Sequence, residues 1–178
     1  DLPLKIVSLA EYSRMPEIAE DVKTFRANAV KKALTISRHT GTLVLGEDSG
    51  LEVEALGFKP GIYSARFAGL MADDRKNNMK LLKELNGVAP KHRRARYRCV
   101  AALSDGGTLI GTVSGSCEGH IALKPRGHNG FGYDPLFLVP EYNKTFGELP
   151  PEVKEHLSHR GKAMKKVKKL LKHYLGRV

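Results

Sequence analysis

The chain of 178 residues has no tryptophan and only two cysteines, Cys99 and Cys117, which lie 18 positions apart. Two isolated cysteines are too few for a disulfide framework or a cysteine-rich zinc site, and they favour a reducing compartment. No apolar run approaches the roughly 18 residues that a membrane-spanning helix needs, and no signal-peptide pattern opens the chain. We therefore expect a cytoplasmic protein with no membrane partner.

Acidic residues are also scarce, since 19 Asp and Glu stand against 30 Lys and Arg, for a formal net charge of +11. Such an excess favours polyanionic partners, among them nucleic acid, anionic membrane and nucleoside triphosphates. Six of the lysines fall in the segment 162–173, where apolar residues at helical spacing predict a terminal helix with a solvated basic face. Because zinc-finger spacing and an RNA-binding aromatic pair are both missing, we expect no specific nucleic-acid partner.

Length and apolar content, 41%, predict a single domain over residues 1–178. Helical and strand patterns alternate at first, and a hairpin then intervenes. The predicted elements are a strand at 4–9, a helix at 24–38 between Thr24 and Gly41, a strand at 42–46, a helix at 73–87, hairpin strands at 96–103 and 108–113, a strand at 135–139 and the basic helix. This order predicts the α/β class, with helices flanking a mixed, twisted sheet.

The most informative stretch runs from Arg126 to Pro135 and places two aromatics and a carboxylate among glycines. Phe131 could stack on a nucleobase, an interaction worth very roughly 1–3 kcal/mol in single-strand binders. The glycines would let a ligand approach the backbone closely. Taken alone, the stretch is equally well interpreted as a turn that leads into the strand at 135–139.

Carboxylates cluster in two places that could hold a metal. Asp48 and Ser49 are predicted to follow the strand at 42–46, and open α/β sheets bind ligands beyond the carboxyl ends of their strands. Asp48 could bind Mg²⁺ or act on an attacking water. Glu20 would complete a magnesium clamp if the fold brought it to Asp48, which the spacing does not reveal. Each cluster alone is more typical of a solvated acidic turn.

Donors cluster at the start of the basic helix, for which Ser158 is the predicted N-cap. His159 and Arg160 would project from the helix start, where anions and carbonyl oxygens are favoured. The guanidinium of Arg160 also presents a planar fork of donors to such groups. Lys154 adds a donor four residues before the cap. A capped surface helix would give the same pattern.

Taken in order, the motifs of the chain resemble those of the inosine/xanthosine triphosphate pyrophosphatases, which clear nonstandard purine nucleotides. The similarity runs from about residue 15 to the C-terminus. It rests on Thr24-Phe25-x-x-Asn28-Ala29, Glu47-Asp48-Ser49-Gly50-Leu51, Pro60-Gly61-Ile62-Tyr63-Ser64-Ala65-Arg66, Asn77-Asn78, Gly130-Phe131-Gly132-Tyr133-Asp134-Pro135, Lys144-Thr145-Phe146-Gly147-Glu148 and Ser158-His159-Arg160-Gly161.

The resemblance implies magnesium-dependent attack of water on the α-phosphorus of ITP, dITP or XTP, with a nucleoside monophosphate and pyrophosphate as products. It implies Asp48 as the catalytic carboxylate and as a magnesium ligand, with Glu20 as the second ligand. The substrate-binding residues that it implies are Ser49, Phe131, Gly132, Tyr133, Asp134, Lys154, His159 and Arg160. It also implies two lobes with the active site in a cleft, and a homodimer.

Two departures from the family pattern accompany the resemblance. The chain opens at what looks like the family's second strand, so we expect it to be truncated relative to the family and to lack the Ser/Thr-x-Asn-x-x-Lys turn that holds the triphosphate. Ala27 stands where the family often has glutamate. The alternatives are a Maf-type nucleotide pyrophosphatase, a nucleotide-binding module that has lost turnover, and a basic nucleic-acid binder.

Overall fold

The computed structural model describes residue 2 and residues 4–19, 21–70 and 73–176. Within these ranges the helices are α1 (Phe25–Thr40), α2 (Asp74–Glu84), α3 (Pro151–Leu157) and α4 (His159–Leu175). The strands are β1 (Leu43–Val53), β2 (Lys59–Pro60), β3 (Arg94–Asp105), β4 (Thr108–Ile121), β5 (Phe137–Val139) and β6 (Lys144–Thr145). The strands form a sheet in the order β2-β1-β3-β4-β5-β6, and the pairings β1–β2, β4–β5 and β5–β6 are antiparallel. The predicted α/β class is confirmed.

Local capping signals set the ends of the first long helix. The Thr24 hydroxyl accepts a hydrogen bond from the Ala27 amide at 3.0 Å, and α1 begins at the next residue after this cap. Gly41 ends α1 in the left-handed conformation, with φ of 66°, which glycine adopts without steric cost. Both predicted ends are therefore confirmed. None of the helices in the described ranges is long and apolar enough to cross a membrane.

The second helix and the hairpin also follow the sequence pattern, with one exception. Asp73 caps α2 by accepting a hydrogen bond from the Lys76 amide at 2.9 Å. The exception is Met79, which is 60% exposed, whereas Leu81 of the same helix is fully buried. The β3–β4 turn lies at Gly106 and Gly107, both with positive φ, as a two-residue hairpin turn requires.

The predicted strand at 42–46 is too short. β1 continues to Val53, so Asp48 and Ser49 lie inside the strand and not beyond its end. Burial alternates from Gly46 to Gly50, where the even-numbered residues are buried and small or polar. The apolar run marked only the first half of the strand, because Glu47, Asp48 and Ser49 interrupt it before the buried Leu51 and Val53.

The predicted strand at 4–9 is wrong. Residues 4–8 have no regular structure, and a short 3₁₀ turn at Leu9–Glu11 follows, capped by the Ser8 hydroxyl. Ile6 is 95% exposed. A strand needs a neighbour for its backbone hydrogen bonds, and within the described residues the sheet includes no strand from this segment.

The described residues fall into two compact units, and the first comprises Asp1–Asp48, Val100–Val113 and Met164–Val178. In this unit α1 lies directly on β1. A Cβ atom placed on Gly46 would stand 2.6 Å from both the Ala29 oxygen and the Ala33 nitrogen, so only glycine permits this approach. A hydrogen bond of 2.7 Å between the hydroxyls of Ser37 and Ser104 ties α1 to β3.

The second unit comprises Ser49–Cys99 and Ser114–Ala163 and contains a large apolar core. Aromatic rings pack against one another at its centre, where the Phe137 ring lies 4.6 Å from the tilted Tyr97 ring and 5.1 Å from the Phe146 ring, on which it stacks, measured between centroids. Leu81 and Leu136 are fully buried beside them. Each such side chain contributes roughly 1.5–3 kcal/mol on burial, so this core forms a rigid support for the loops that it carries.

The predicted basic helix is confirmed as α4. Ala163 and Val167, one turn apart, are 0% and 4% exposed. The six lysines of segment 162–173 are all exposed. The basic run is therefore the solvated face of an amphipathic helix.

Candidate active site

Asp48, in the first unit, is held by two side chains of α1. Asn28 Nδ2 donates to Asp48 Oδ2 at 3.1 Å, and Lys32 Nζ donates to Asp48 Oδ1 at 2.8 Å. Asn28 and Lys32 are four residues apart and therefore share one face of the helix. The close approach at Gly46 brings that face to β1. Asp48 is only 7% exposed, and these two hydrogen bonds hold one orientation of its carboxylate.

The donor set around Asp48 is compatible with a hard cation. Mg²⁺ binds oxygen ligands, usually one or two carboxylates together with water and substrate phosphates. A carboxylate has about four lone-pair sites, so the hydrogen bonds from Asn28 and Lys32 are compatible with a metal at Asp48. The buried Asn28 Oδ1 has no hydrogen-bond partner among the described residues and is a further oxygen at this position.

The predicted second magnesium ligand, Glu20, lies outside the described residues, so its pairing with Asp48 stays a prediction. In the ranges 4–19, 21–70 and 73–176, no group of three or more His, Cys, Asp or Glu could hold a metal ion. A metal at Asp48 would therefore depend on ligands from substrate and water in addition to those of this part of the chain.

The glycine-rich loop of the second unit exposes one aromatic ring and buries the other. Phe131 is 55% exposed, whereas Tyr133 and Asp134 are 3% and 2% exposed. The Tyr133 hydroxyl donates to the Ser64 carbonyl at 2.8 Å. The Asp134 carboxylate accepts a hydrogen bond from the Phe131 amide at 2.8 Å. The two buried side chains thus hold the loop from inside, and the Phe131 ring is the part that is presented to solvent.

Lys154 pairs with the buried Asp134 and lies beside the exposed ring. Its ammonium contacts Asp134 Oδ2 and stands 4.5 Å from the centroid of the Phe131 ring. Burial raises the pKa of Asp134, and the hydrogen bond and the charge of Lys154 oppose that rise. The pair therefore keeps a cation next to the Phe131 ring.

The two predicted site residues at the start of α4, His159 and Arg160, have different surroundings. Ser158 Oγ accepts a hydrogen bond from the Gly161 amide at 3.0 Å, which confirms its capping role. His159 is 4% exposed, and its ring stacks on Tyr97 with centroids 4.5 Å apart and planes 8° apart. Arg160 Nη2 donates to Ser49 Oγ at 3.4 Å, and its Cζ lies 5.0 Å from the Phe131 ring centroid.

Within the second unit the structure therefore brings four predicted site residues together at the surface: Ser49, Phe131, Lys154 and Arg160. The side chains of Tyr133, Asp134 and His159 lie behind them in the interior. Asn28 and Lys32 had no predicted role, although Asn28 belongs to a motif that carries the resemblance. Their signal was a polar pair four residues apart beside the apolar residues Phe25, Ala29 and Ala33 of the same helix.

Comparison with known proteins places this arrangement in a family. The sequence profile of the Ham1 family matches residues 1–170. The chain belongs to the Ham1 family. This Ham1 chain is 53% identical over 167 residues to a dITP/XTP pyrophosphatase of Desulforamulus reducens, which covers 94% of this chain and 83% of that protein. It is 50% identical over 166 residues to a dITP/XTP pyrophosphatase of Bacillus licheniformis, which covers 93% and 85%.

Solved structures agree with this assignment. A HAM1 protein from Coxiella burnetii is 39% identical and superposes with a TM-score of 0.90 over 97% of this chain and 88% of its own. The Staphylococcus aureus Ham1 protein is 38% identical, with a TM-score of 0.83 over 89% and 81%. The family resemblance that the motifs predicted is therefore confirmed, and the fold is that of solved Ham1 proteins.

Proposed function

We propose that this chain hydrolyses dITP, ITP and XTP to the nucleoside monophosphate and pyrophosphate. Relatives at 53% and 50% identity are named dITP/XTP pyrophosphatases. The structural observation that carries the proposal is the position of Arg160, whose guanidinium contacts both the Ser49 hydroxyl and the exposed Phe131 ring. One surface thereby presents an aromatic ring on which a planar base could stack and, next to it, the hydrogen-bond donors of the Arg160 guanidinium.

The base is selected by its substituent at position 6. A purine stacked on Phe131 would lie within reach of Arg160, since the guanidinium carbon is 5.0 Å from the ring centroid. Hypoxanthine and xanthine carry a 6-oxygen that accepts hydrogen bonds, whereas adenine carries an amino group that offers Arg160 no acceptor at that position. Sites that lose a buried hydrogen bond in this way reject the wrong substrate strongly. Guanine shares the 6-oxygen and is excluded by some other contact.

Hydrolysis uses Asp48 as the general base. The water oxygen bonds to the α-phosphorus, the bond from that phosphorus to the α–β bridging oxygen breaks, and pyrophosphate leaves with that oxygen. Asp48 accepts the proton that the water loses. Asn28 and Lys32, at 3.1 and 2.8 Å, hold the carboxylate in one orientation. Orientation of this kind removes part of the entropic cost of the reaction.

Magnesium is the proposed cofactor, with Asp48 as a ligand and Glu20 as a second one. Bound there, the ion would neutralise the charge of the triphosphate, which is its usual contribution to phosphoryl chemistry. The oxygen-rich surroundings of Asp48 support this part of the proposal.

The activity is tested by incubating the protein with dITP and XTP in the presence and absence of Mg²⁺ and measuring pyrophosphate. We expect pyrophosphate release only with Mg²⁺, and much slower release from ATP and GTP. Release of orthophosphate alone, or equal turnover of ATP, would overturn the proposal. Asp48→Asn keeps the size of the side chain but removes its basicity, and we expect turnover to be abolished. A near-normal rate would contradict the role of Asp48.

A homodimer in the cytoplasm is the proposed state of the protein. Phe58 and Tyr63 of the second unit are 51% and 54% exposed, and exposed aromatics of this size are enriched in interfaces. Sedimentation velocity is expected to give twice the mass of one chain. The mass of a single chain at micromolar concentration would contradict this part of the proposal.

A further inference from the structure

Both backbone groups of Gly132, in the glycine-rich loop, form hydrogen bonds with side chains of α2. The Gly132 amide donates to Asp74 Oδ2 at 2.6 Å, and the Gly132 carbonyl accepts from Asn78 Nδ2 at 2.8 Å. Asp74 and Asn78 are four residues apart and so lie on one face of the helix. Asn78 Nδ2 also donates to the Asp74 carbonyl at 2.8 Å, which ties the two residues together.

The side-chain amide of Asn78 has one orientation that satisfies its hydrogen bonds to Gly132 and Asp74. Asn78 is buried, and its Oδ1 has no hydrogen-bond partner among the described residues. Leaving a buried carbonyl unsatisfied costs free energy. Rotating the amide would place that oxygen against the carbonyls of Asp74 and Gly132, so the observed orientation is the one that the two acceptors require.

The hydrogen bonds to Gly132 lie beside a pocket of about 540 Å³, and Met79, Leu82, Pro125 and Phe131 are among the residues that line it. Leu81 of α2 and Tyr133 of the loop belong to one apolar core cluster, so apolar packing joins the helix and the loop on the core side. Side chains interlock less where a pocket is open. At the pocket, the hydrogen bonds with Asp74 and Asn78 therefore hold Gly132.

We propose that Asp74 and Asn78 are positioning residues that set where the Phe131 ring stands and thereby determine how well a purine is bound and selected. Gly132 follows Phe131 directly, so fixing both backbone groups of Gly132 fixes the peptide that orients the ring. The inference rests on the proposed function, in which Phe131 stacks on the base.

Asp74 is the residue to change, because it is exposed and its replacement does not open a cavity. Asp74→Ala removes the acceptor of the Gly132 amide, whereas Asp74→Asn retains an oxygen that can accept the same bond. Asp73→Ala is the matched control, since Asp73 accepts from the Lys76 amide as the cap of α2, whereas Asp74 accepts from the Gly132 amide. This control variant distinguishes the effect of a less stable α2 from the effect of losing the hydrogen bond to the Gly132 amide.

The first readout needs no nucleotide. We expect the Gly132 amide of the Asp74→Ala variant to exchange its hydrogen about tenfold faster than in the unmodified protein, a factor that corresponds to about 1.4 kcal/mol. Asp74→Asn is expected to restore most of the protection, and Asp73→Ala to leave it unchanged. An equal exchange rate of the Gly132 amide in the Asp74→Ala variant and in the unmodified protein would show that Asp74 does not hold Gly132.

The second readout is steady-state kinetics with dITP and with dGTP as competitor. In the Asp74→Ala variant we expect KM for dITP to rise about tenfold with kcat within about twofold, and selectivity over dGTP to fall, because binding of the base is weakened and not the chemistry. Unchanged KM and selectivity despite faster exchange at Gly132 would overturn the positioning role. If the unmodified protein itself fails to release pyrophosphate from dITP, the proposed function fails, while the exchange result still stands or falls independently.

Discussion

Asp48 illustrates, at the scale of the residue, how a buried carboxylate depends on side chains that have no direct part in the proposed chemistry. Asn28 is 1% exposed and donates to one oxygen, and Lys32 donates to the other. A carboxylate held at both oxygens loses its rotational freedom. The proposed base is therefore only as well oriented as its two partners allow.

Replacing Asn28 by alanine tests this dependence. We expect kcat for dITP to fall about 10- to 100-fold, as is common when a residue that orients a metal-binding side chain is removed. KM should change little, because the proposed role of Asn28 is to orient Asp48 and not to bind the purine. Asn86→Ala is the control, since Asn86 is exposed. A rise in KM at constant kcat would contradict an orienting role and would indicate that Asn28 binds substrate.

Arg160 is the residue on which base selection is proposed to depend. Arg160→Lys keeps the positive charge but loses the planar fork of donors. We expect kcat/KM for dITP to fall about tenfold or more while the slow turnover of ATP is unchanged, so that selectivity falls. Arg94→Lys, on the exposed side of β3, is the control. Equal losses for both substrates would indicate that Arg160 acts on the phosphates and not on the base.

At the scale of the element, the start of α4 positions one residue of the site. α4 begins at His159, and the amide of Gly161 in its first turn donates to the Ser158 hydroxyl. β4 approaches this helix start so closely that a Cβ on Gly115 would stand 2.1 Å from the His159 carbonyl. The Ser158 cap and the close approach of β4 at Gly115 therefore determine the direction in which Arg160 projects.

Ser158→Ala removes the cap of α4. We expect a loss of about 1 kcal/mol in the free energy of unfolding, which lowers Tm by about 2–4 °C in a protein of this size. Thermal unfolding followed by circular dichroism measures it. Ser13→Ala, at an exposed position, should stay within about 0.5 kcal/mol of the unmodified protein. A Ser158→Ala variant as stable as that control would show that the cap contributes nothing measurable.

At the scale of the whole molecule, both cysteines are internal. Cys99 is 0% exposed and Cys117 is 5% exposed. Burial raises the pKa of the Cys117 thiol to about 11. Because the thiolate is the reactive form, only about one molecule in a thousand would carry it at pH 8 even if reagent could reach the sulfur.

Thiol labelling should therefore report the opening of the fold. At pH 8 under native conditions we expect neither cysteine to react with a disulfide reagent within minutes, and both to react at once in denaturant. Labelling measured at increasing urea concentration then follows unfolding. Fast labelling of Cys117 in the native protein would contradict its burial.

Local signals in the sequence were sufficient for much of the fold. Thr24 and Gly41 determine the ends of α1 because a side-chain cap and a left-handed residue act within a few residues of the helix. Gly106 and Gly107 determine the hairpin for the same reason. Family membership was also determined by sequence, because many ordered motifs do not recur together by chance.

Only the tertiary structure decided which residues meet. Asn28 and Asp48 are 20 positions apart, Gly132 and Asp74 are 58 apart, and nothing in either segment specifies its partner. The burial of His159 against Tyr97, and the continuation of β1 through Asp48, likewise depend on neighbours that the chain supplies from elsewhere. Capping and turn formation are local and are encoded locally, whereas burial and hydrogen-bond pairing of polar side chains are properties of the packed molecule.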